Sequence, residues 1–98
     1  MEIIKKLDSK KLEIALVGRL DTTTAPSLEN ELTVLKDGIT ELIFDFKKLE
    51  YISSAGLRVL LSAQKIMNVQ GSMVIRNASE DVKSVFEITG FTSILTLE

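Results

Sequence analysis

The chain has 98 residues, 45% of them hydrophobic and 27% charged, with 12 basic and 14 acidic side chains giving a formal charge of -2. That size fits one domain over residues 1–98 and excludes a catalytic domain joined to a regulatory one. With no cysteine and no histidine, it can build neither a disulfide framework nor a Ser-His-Asp triad, and charges spread along its length leave no basic footprint for nucleic acid.

Glu2 to Leu7 and Lys11 to Gly18 are β-rich runs on either side of Asp8-Ser9-Lys10, which predicts an antiparallel hairpin. In the second run Leu12, Ile14 and Leu16 alternate with Glu13, Ala15 and Val17, the period of a strand with one buried face. Thr22-Thr23-Thr24-Ala25-Pro26 predicts a helix start with a threonine cap and a proline in the first turn; Leu28, Leu32 and Leu35 follow at helical spacing up to Gly38. Glu41 to Phe46 is nearly continuous in apolar residues and predicts the central strand, with a loop from Lys47 to Ile52 after it.

Ala55 to about Val69 predicts a second helix, with Arg58, Ser62 and Lys65 forming a polar stripe opposite Leu60, Ala63, Ile66 and Met67, and Gly71 near its end. Ser72 to Arg76 predicts a strand. Ser79 caps a third helix carrying Glu80 and Asp81 in its first turn and Val82, Val85 and Phe86 on its buried face. Gly90 stops that helix, and Ser93 to Leu97 predicts a last strand. The order β-β-α-β-α-β-α-β implies an α/β fold with a mixed, mostly parallel five-stranded sheet and three main helices, only the first strand running antiparallel. Ligand and partner sites in such sheets gather at the carboxyl ends of the strands, where Asp21-Thr22-Thr23-Thr24 and Ser53-Ser54 fall.

Catalytic and cofactor motifs are missing. Ser54 has Gly56 after it but Ile52 before it, so the strained glycine-flanked turn of a nucleophilic serine is absent. There is no phosphate-binding loop, no dinucleotide fingerprint and no calcium-loop spacing, so neither a metal nor a cofactor is expected. The five aromatics Phe44, Phe46, Tyr51, Phe86 and Phe91 mostly sit in apolar core patterns, leaving no stacking platform for single strands. Met1 to Lys6 is not a basic region leading into an apolar run, and no stretch approaches the roughly 18 apolar residues of a spanning helix. The expectation is a cytoplasmic protein without membrane insertion that acts on another protein.

The segment Ile52-Ser53-Ser54-Ala55-Gly56-Leu57-Arg58 carries an apolar strand into a helix. The first N–H groups of a helix lack intrahelical partners and carry the positive end of its dipole, so a serine there either caps the helix or accepts a phosphoryl group. Asp21 is open to two readings as well, a turn residue or an acidic neighbour of the serines. Arg58 is either a solvated charge or a partner contact, and Leu57 is either core or part of an apolar patch.

Tyr51-Ile52-Ser53-Ser54-Ala55-Gly56-Leu57-Arg58, with Gly18-Arg19-Leu20-Asp21 upstream and Thr89-Gly90-Phe91 near the end, resembles the STAS domain of bacterial anti-sigma factor antagonists over essentially the whole chain. The resemblance implies a βα superhelix with its helices largely on one side of the sheet, and a regulatory protein rather than an enzyme. Ser54 matches the serine that a cognate anti-sigma factor kinase phosphorylates. Ser53 matches a position that is often Asp, Ala55 one that is often Ser or Thr, and Gly56 and Leu57 the start of the helix. Asp21 matches an acidic residue beside the site, with Thr22 and Arg58 as further near-site candidates, and Asp45 takes a polar position at the end of the central strand.

The implied function is a partner switch. Unphosphorylated protein binds an anti-sigma factor serine kinase and frees a sigma factor for transcription, phosphorylation of Ser54 releases it, and a serine phosphatase resets it. The alternative is a non-phosphorylated STAS adaptor subunit of a lipid-transport ATPase complex, which would use the same helix face without a change of charge.

Overall fold

The computed structural model describes all residues, 1–98. Strand β1 (Glu2–Asp8) turns back through Ser9, whose φ of 58° is left-handed, onto strand β2 (Lys11–Leu20), and the two pair antiparallel from Glu2↔Val17 to Asp8↔Lys11. Strand β3 (Glu41–Ile52) adds parallel to β2 and strand β4 (Ser72–Arg76) adds parallel to β3, for a sheet order β1-β2-β3-β4. The mixed, mostly parallel α/β architecture and its single antiparallel edge strand are those expected.

Helices α1 (Ala25–Glu31) and α2 (Ser54–Gln70) connect the parallel strands, and α3 (Glu80–Thr89) follows β4. One apolar core joins Leu12, Ile14 and Leu16 of β2 and Leu42, Phe44 and Phe46 of β3 to Leu28 of α1, Leu60 and Met67 of α2 and Phe86 of α3. The helices therefore share one face of the sheet. Each helix brings an apolar stripe to that face, and on α2 the stripe runs opposite the exposed Arg58, Ser62 and Lys65. The chain is punctuated where left-handed backbone is needed, at Gly38 (φ 97°) and at Gly90 (φ 80°).

Three expectations require correction. The fifth strand is reduced to a single parallel bridge, Ile75↔Leu97, held by the Ile75 N–H to the Thr96 carbonyl at 2.9 Å and the Glu98 N–H to the Ile75 carbonyl at 2.8 Å. The sheet thus has four strands, because Phe91–Ser93 coil into a 3-10 turn directly after Gly90 and Leu95 is drawn into the core. The first helix does not run evenly to Gly38: it is α-helical to Glu31 and tightens into a 3-10 segment over Leu32–Asp37.

The third correction concerns Lys47 to Ile52, which continue β3 instead of forming a loop. The register against β2 shifts twice, between Ala15 and Val17 and again between Gly18 and Arg19, so β3 carries an extra residue at each place. Phe46, Leu49 and Ile52 are buried while Lys47, Lys48, Glu50 and Tyr51 are exposed. A strand interrupted by two bulges buries every third residue here, and that pattern lacks the alternation by which strands are recognised.

Candidate functional site

Helix α2 begins where β3 leaves the sheet. Ser53 is its N-cap, with extended backbone (φ -99°, ψ 176°), and its carbonyl accepts the Leu57 N–H at 3.0 Å. The Ser53 side chain makes no capping bond; its Oγ is buried without a hydrogen-bond partner. Ser54 is the first helical residue and is exposed. The two adjacent hydroxyls are therefore inequivalent: one faces the protein and the other faces solvent at the positive end of a 17-residue helix.

Gly56 allows this placement. A Cβ there would lie 2.7 Å from Leu20 Cγ and 2.9 Å from Ile52 Cγ1, so the first turn of α2 sits directly on the ends of β2 and β3. Leu57 is buried among the core residues and is not available as an apolar contact. Arg58 is exposed.

The turn from β2 into α1 lies beside this helix start because the Ser53 N–H donates to the Leu20 carbonyl at 2.9 Å. In that turn Asp21 Oδ1 accepts the Thr23 hydroxyl at 2.8 Å, the Thr23 N–H at 3.0 Å and the Thr24 N–H at 3.2 Å. Thr24 Oγ1 accepts the Asp21 N–H at 2.8 Å and donates to the Arg19 carbonyl at 2.8 Å. Thr24 is the N-cap by position, but its side chain holds the preceding turn rather than capping the helix. The Thr23 hydroxyl, with the Thr24 and Thr23 amides, favours the ionised carboxylate and outweighs desolvation, holding Asp21 below its ordinary pKa.

Arg19 links the two segments. Its guanidinium carbon stands 4.2 Å from the centre of the Tyr51 ring and its Nε 3.7 Å from Asp21 Oδ2. Neither Arg19 nor Tyr51 was expected at the site on its own chemistry. Both belong to the sequence segments that carry the family resemblance, but their contact depends on the register Arg19↔Tyr51, set by the second bulge.

A shallow groove of about 190 Å³ runs between α1 and α2, lined by Thr22, Ala25, Pro26, Glu29, Ala55, Arg58 and Val59. It brings Thr22, Ala55 and Arg58 together with Pro26, Glu29 and Val59, while Ser54 stands outside its lining. Asp45 is not part of this site. It lies within β3, opposite Ala15 and Arg76, and accepts the Lys47 N–H at 3.0 Å and the Asn77 side-chain amide at 3.1 Å.

No group of three or more acidic side chains is placed to hold a metal ion, and no helix is long and apolar enough to cross a membrane. What the site offers is an exposed hydroxyl on a helix N-terminus, flanked by a rigid acidic turn and a groove. The STAS domain model matches residues 2–98. The chain belongs to the STAS domain family.

Among curated relatives, this STAS domain is 41% identical over 95 residues to BtrV of Bordetella bronchiseptica, a candidate anti-sigma factor antagonist, covering 91% of this chain and 82% of that protein. It is 33% identical over 98 residues to the anti-sigma-B factor antagonist of Listeria monocytogenes, covering 97% of this chain and 85% of that one. The solved structure of the anti-sigma factor antagonist SpoIIAA in its unphosphorylated form superposes with a TM-score of 0.79 at 20% identity, covering 99% of this chain and 87% of that chain. SpoIIAA of Bacillus in its phosphorylated form gives 0.77 at 19% identity, covering 99% and 91%. The STAS domain described here thus has the fold of SpoIIAA and belongs to the anti-sigma factor antagonist family.

Proposed function

We propose that this STAS domain is a cytoplasmic anti-sigma factor antagonist, a binding protein rather than an enzyme, switched by phosphorylation of Ser54. The observation that carries this reading is the inequivalence of the two serines, Ser54 exposed at the first position of α2 and Ser53 with its hydroxyl buried. A kinase active site requires an accessible hydroxyl. The existence of a phosphorylated form of SpoIIAA supports the same reading.

Unphosphorylated protein docks on an anti-sigma factor serine kinase through the first turns of α2 and the Asp21 turn. Phosphoserine adds about -1.5 to -2 charges at neutral pH together with three strong acceptors. Helix N-terminal amides tolerate that group within the domain, so its effect falls on the interface, through repulsion and the cost of removing a dianion from water. Asp21, already ionised beside it, adds to the negative field. A serine phosphatase then restores the binding state.

Titration calorimetry with the cognate anti-sigma kinase tests the switch. Unmodified protein should bind, and protein carrying phosphoserine at position 54 should bind at least about tenfold more weakly. Equal affinity of the two forms would refute it, and co-purification with an ATPase transport subunit instead of a sigma regulator would favour the adaptor role.

A further inference from the structure

The face of the sheet opposite the helices carries a second surface. Two adjoining hollows of about 180 and 330 Å³ lie on it, sharing Ile4, Ala15 and Asp45. Their floor is apolar: Ile4 is 51% exposed, Ala15 and Val17 are half-buried, and Ile43 is buried although it lies outside the main core. The register row Ile4↔Ala15↔Asp45↔Arg76 runs across all four strands at this point.

Within the two hollows cations outnumber carboxylates. The linings contain four cations, Lys6, Lys47, Lys48 and Arg76, against two carboxylates, Glu13 and Asp45, in a chain whose overall charge is -2. Glu13 is engaged by Lys11 and Arg76 by Glu98. Asp45 is occupied by the Lys47 N–H and the Asn77 amide. Lys6, Lys47 and Lys48 form no ion pair.

The first bulge in β3 produces this arrangement. In a regular strand Lys47 and Lys48 would point to opposite faces. The register moves from Ala15↔Asp45 to Val17↔Lys48, so both lysines line the same open hollow, while Phe46 and Leu49 on either side are both buried. Bulges re-aim side chains in this way, and they concentrate beside functional surfaces.

We infer that this open sheet face is a second protein-docking surface, fitted to a segment that presents carboxylate side chains beside apolar ones. The unpaired lysines meet the carboxylates and the Ile4, Ala15 and Val17 floor meets the apolar groups. Lysine ammonium groups act as point charges that pair with carboxylates, and an apolar floor between them gives a place to the apolar side chains of the same segment. The surface lies on the far side of the sheet from the helices and is independent of Ser54.

The test is an amide-shift NMR titration of the whole chain with an acetylated, amidated hexapeptide of alternating glutamate and leucine. Shifts should appear at Ile4, Ala15, Val17 and Lys48 and not at Ala55 or Arg58. The double substitution Lys47→Gln and Lys48→Gln, at exposed positions, should weaken binding about fivefold with unchanged thermal stability. Replacing the glutamates of the peptide with glutamine should do the same. No shifts, shifts centred on α1 and α2, affinity indifferent to the lysines or glutamates, or binding to phosphatidylserine vesicles without binding to the peptide would each overturn the inference.

Discussion

The backbone N–H of Ser53 donates to the carbonyl of Leu20 at 2.9 Å, fastening the start of α2 to the end of β2. Through this bond the Asp21 turn and the Ser54 hydroxyl become parts of one surface, although they are more than thirty residues apart in the chain. The same bond turns Ser53 inward, so that its hydroxyl is enclosed without a partner.

Ser53→Ala should therefore leave stability within about 0.5 kcal/mol of the parent, since no hydrogen bond is lost and a buried unsatisfied hydroxyl is removed. Ser79→Ala is the contrasting case. Ser79 Oγ accepts the Val82 N–H at 3.2 Å, so its loss should cost about 1 kcal/mol and lower Tm by about 4–8 °C. Thermal melts of the two variants in parallel check the difference.

Gly56→Ala sets two effects against each other. Alanine favours a helix by about 1 kcal/mol over glycine, but its Cβ would meet Leu20 Cγ at 2.7 Å and Ile52 Cγ1 at 2.9 Å, an overlap costing about 1–3 kcal/mol. The clash should win, giving a net loss of stability on urea unfolding and displaced Ser54 and Ala55 amide resonances.

At Gly71 no helix propensity compensates. A Cβ there would fall 1.9 Å from the Thr40 carbonyl oxygen, a backbone atom held in turn by the Ser72 N–H at 3.0 Å. Gly71→Ala should destabilise by about 2–3 kcal/mol, read as a lower urea midpoint with an unchanged slope.

Acid should unfold the protein partly through two carboxylates. Asp45, held by the Lys47 N–H first and the Asn77 amide second, and Asp21, held first by the Thr23 hydroxyl, both titrate below their ordinary value of 3.8 in the folded state. A depressed folded pKa contributes stability that is present above 3.8 and is lost as the pH falls through that value to the folded pKa. Asp45→Asn should therefore narrow the difference between Tm at neutral pH and Tm near pH 3 relative to the parent, measured by calorimetry across that range.

Much of this was legible in the sequence. The alternation of Leu12, Ile14 and Leu16 marked β2, and the helical spacing on either side of Arg58 and Ser62 marked α2 with its exposed stripe. The residues around Ser54 were also readable, because a helix start after an apolar strand is a local feature. Lys47 to Ile52 were not, since bulges give Phe46, Leu49 and Ile52 a spacing of three that fits neither strand nor helix. Composition overstates the last strand: Ile94, Leu95 and Leu97 are strand-like residues, whereas only Leu97 pairs with β4. The pairing of Arg19 with Tyr51 and the burial of the Ser53 hydroxyl are consequences of tertiary register that no local pattern encodes.

The central claim is that Ser54 is the phosphoacceptor of a binding switch. Its most direct measurement is residue-resolved mass spectrometry after incubation with the cognate anti-sigma kinase and ATP, with Ser53→Ala and Ser54→Ala in parallel. The account predicts a single phosphate on Ser54, retained in Ser53→Ala and absent in Ser54→Ala. A phosphate on Ser53, or a chain left unmodified, would contradict it.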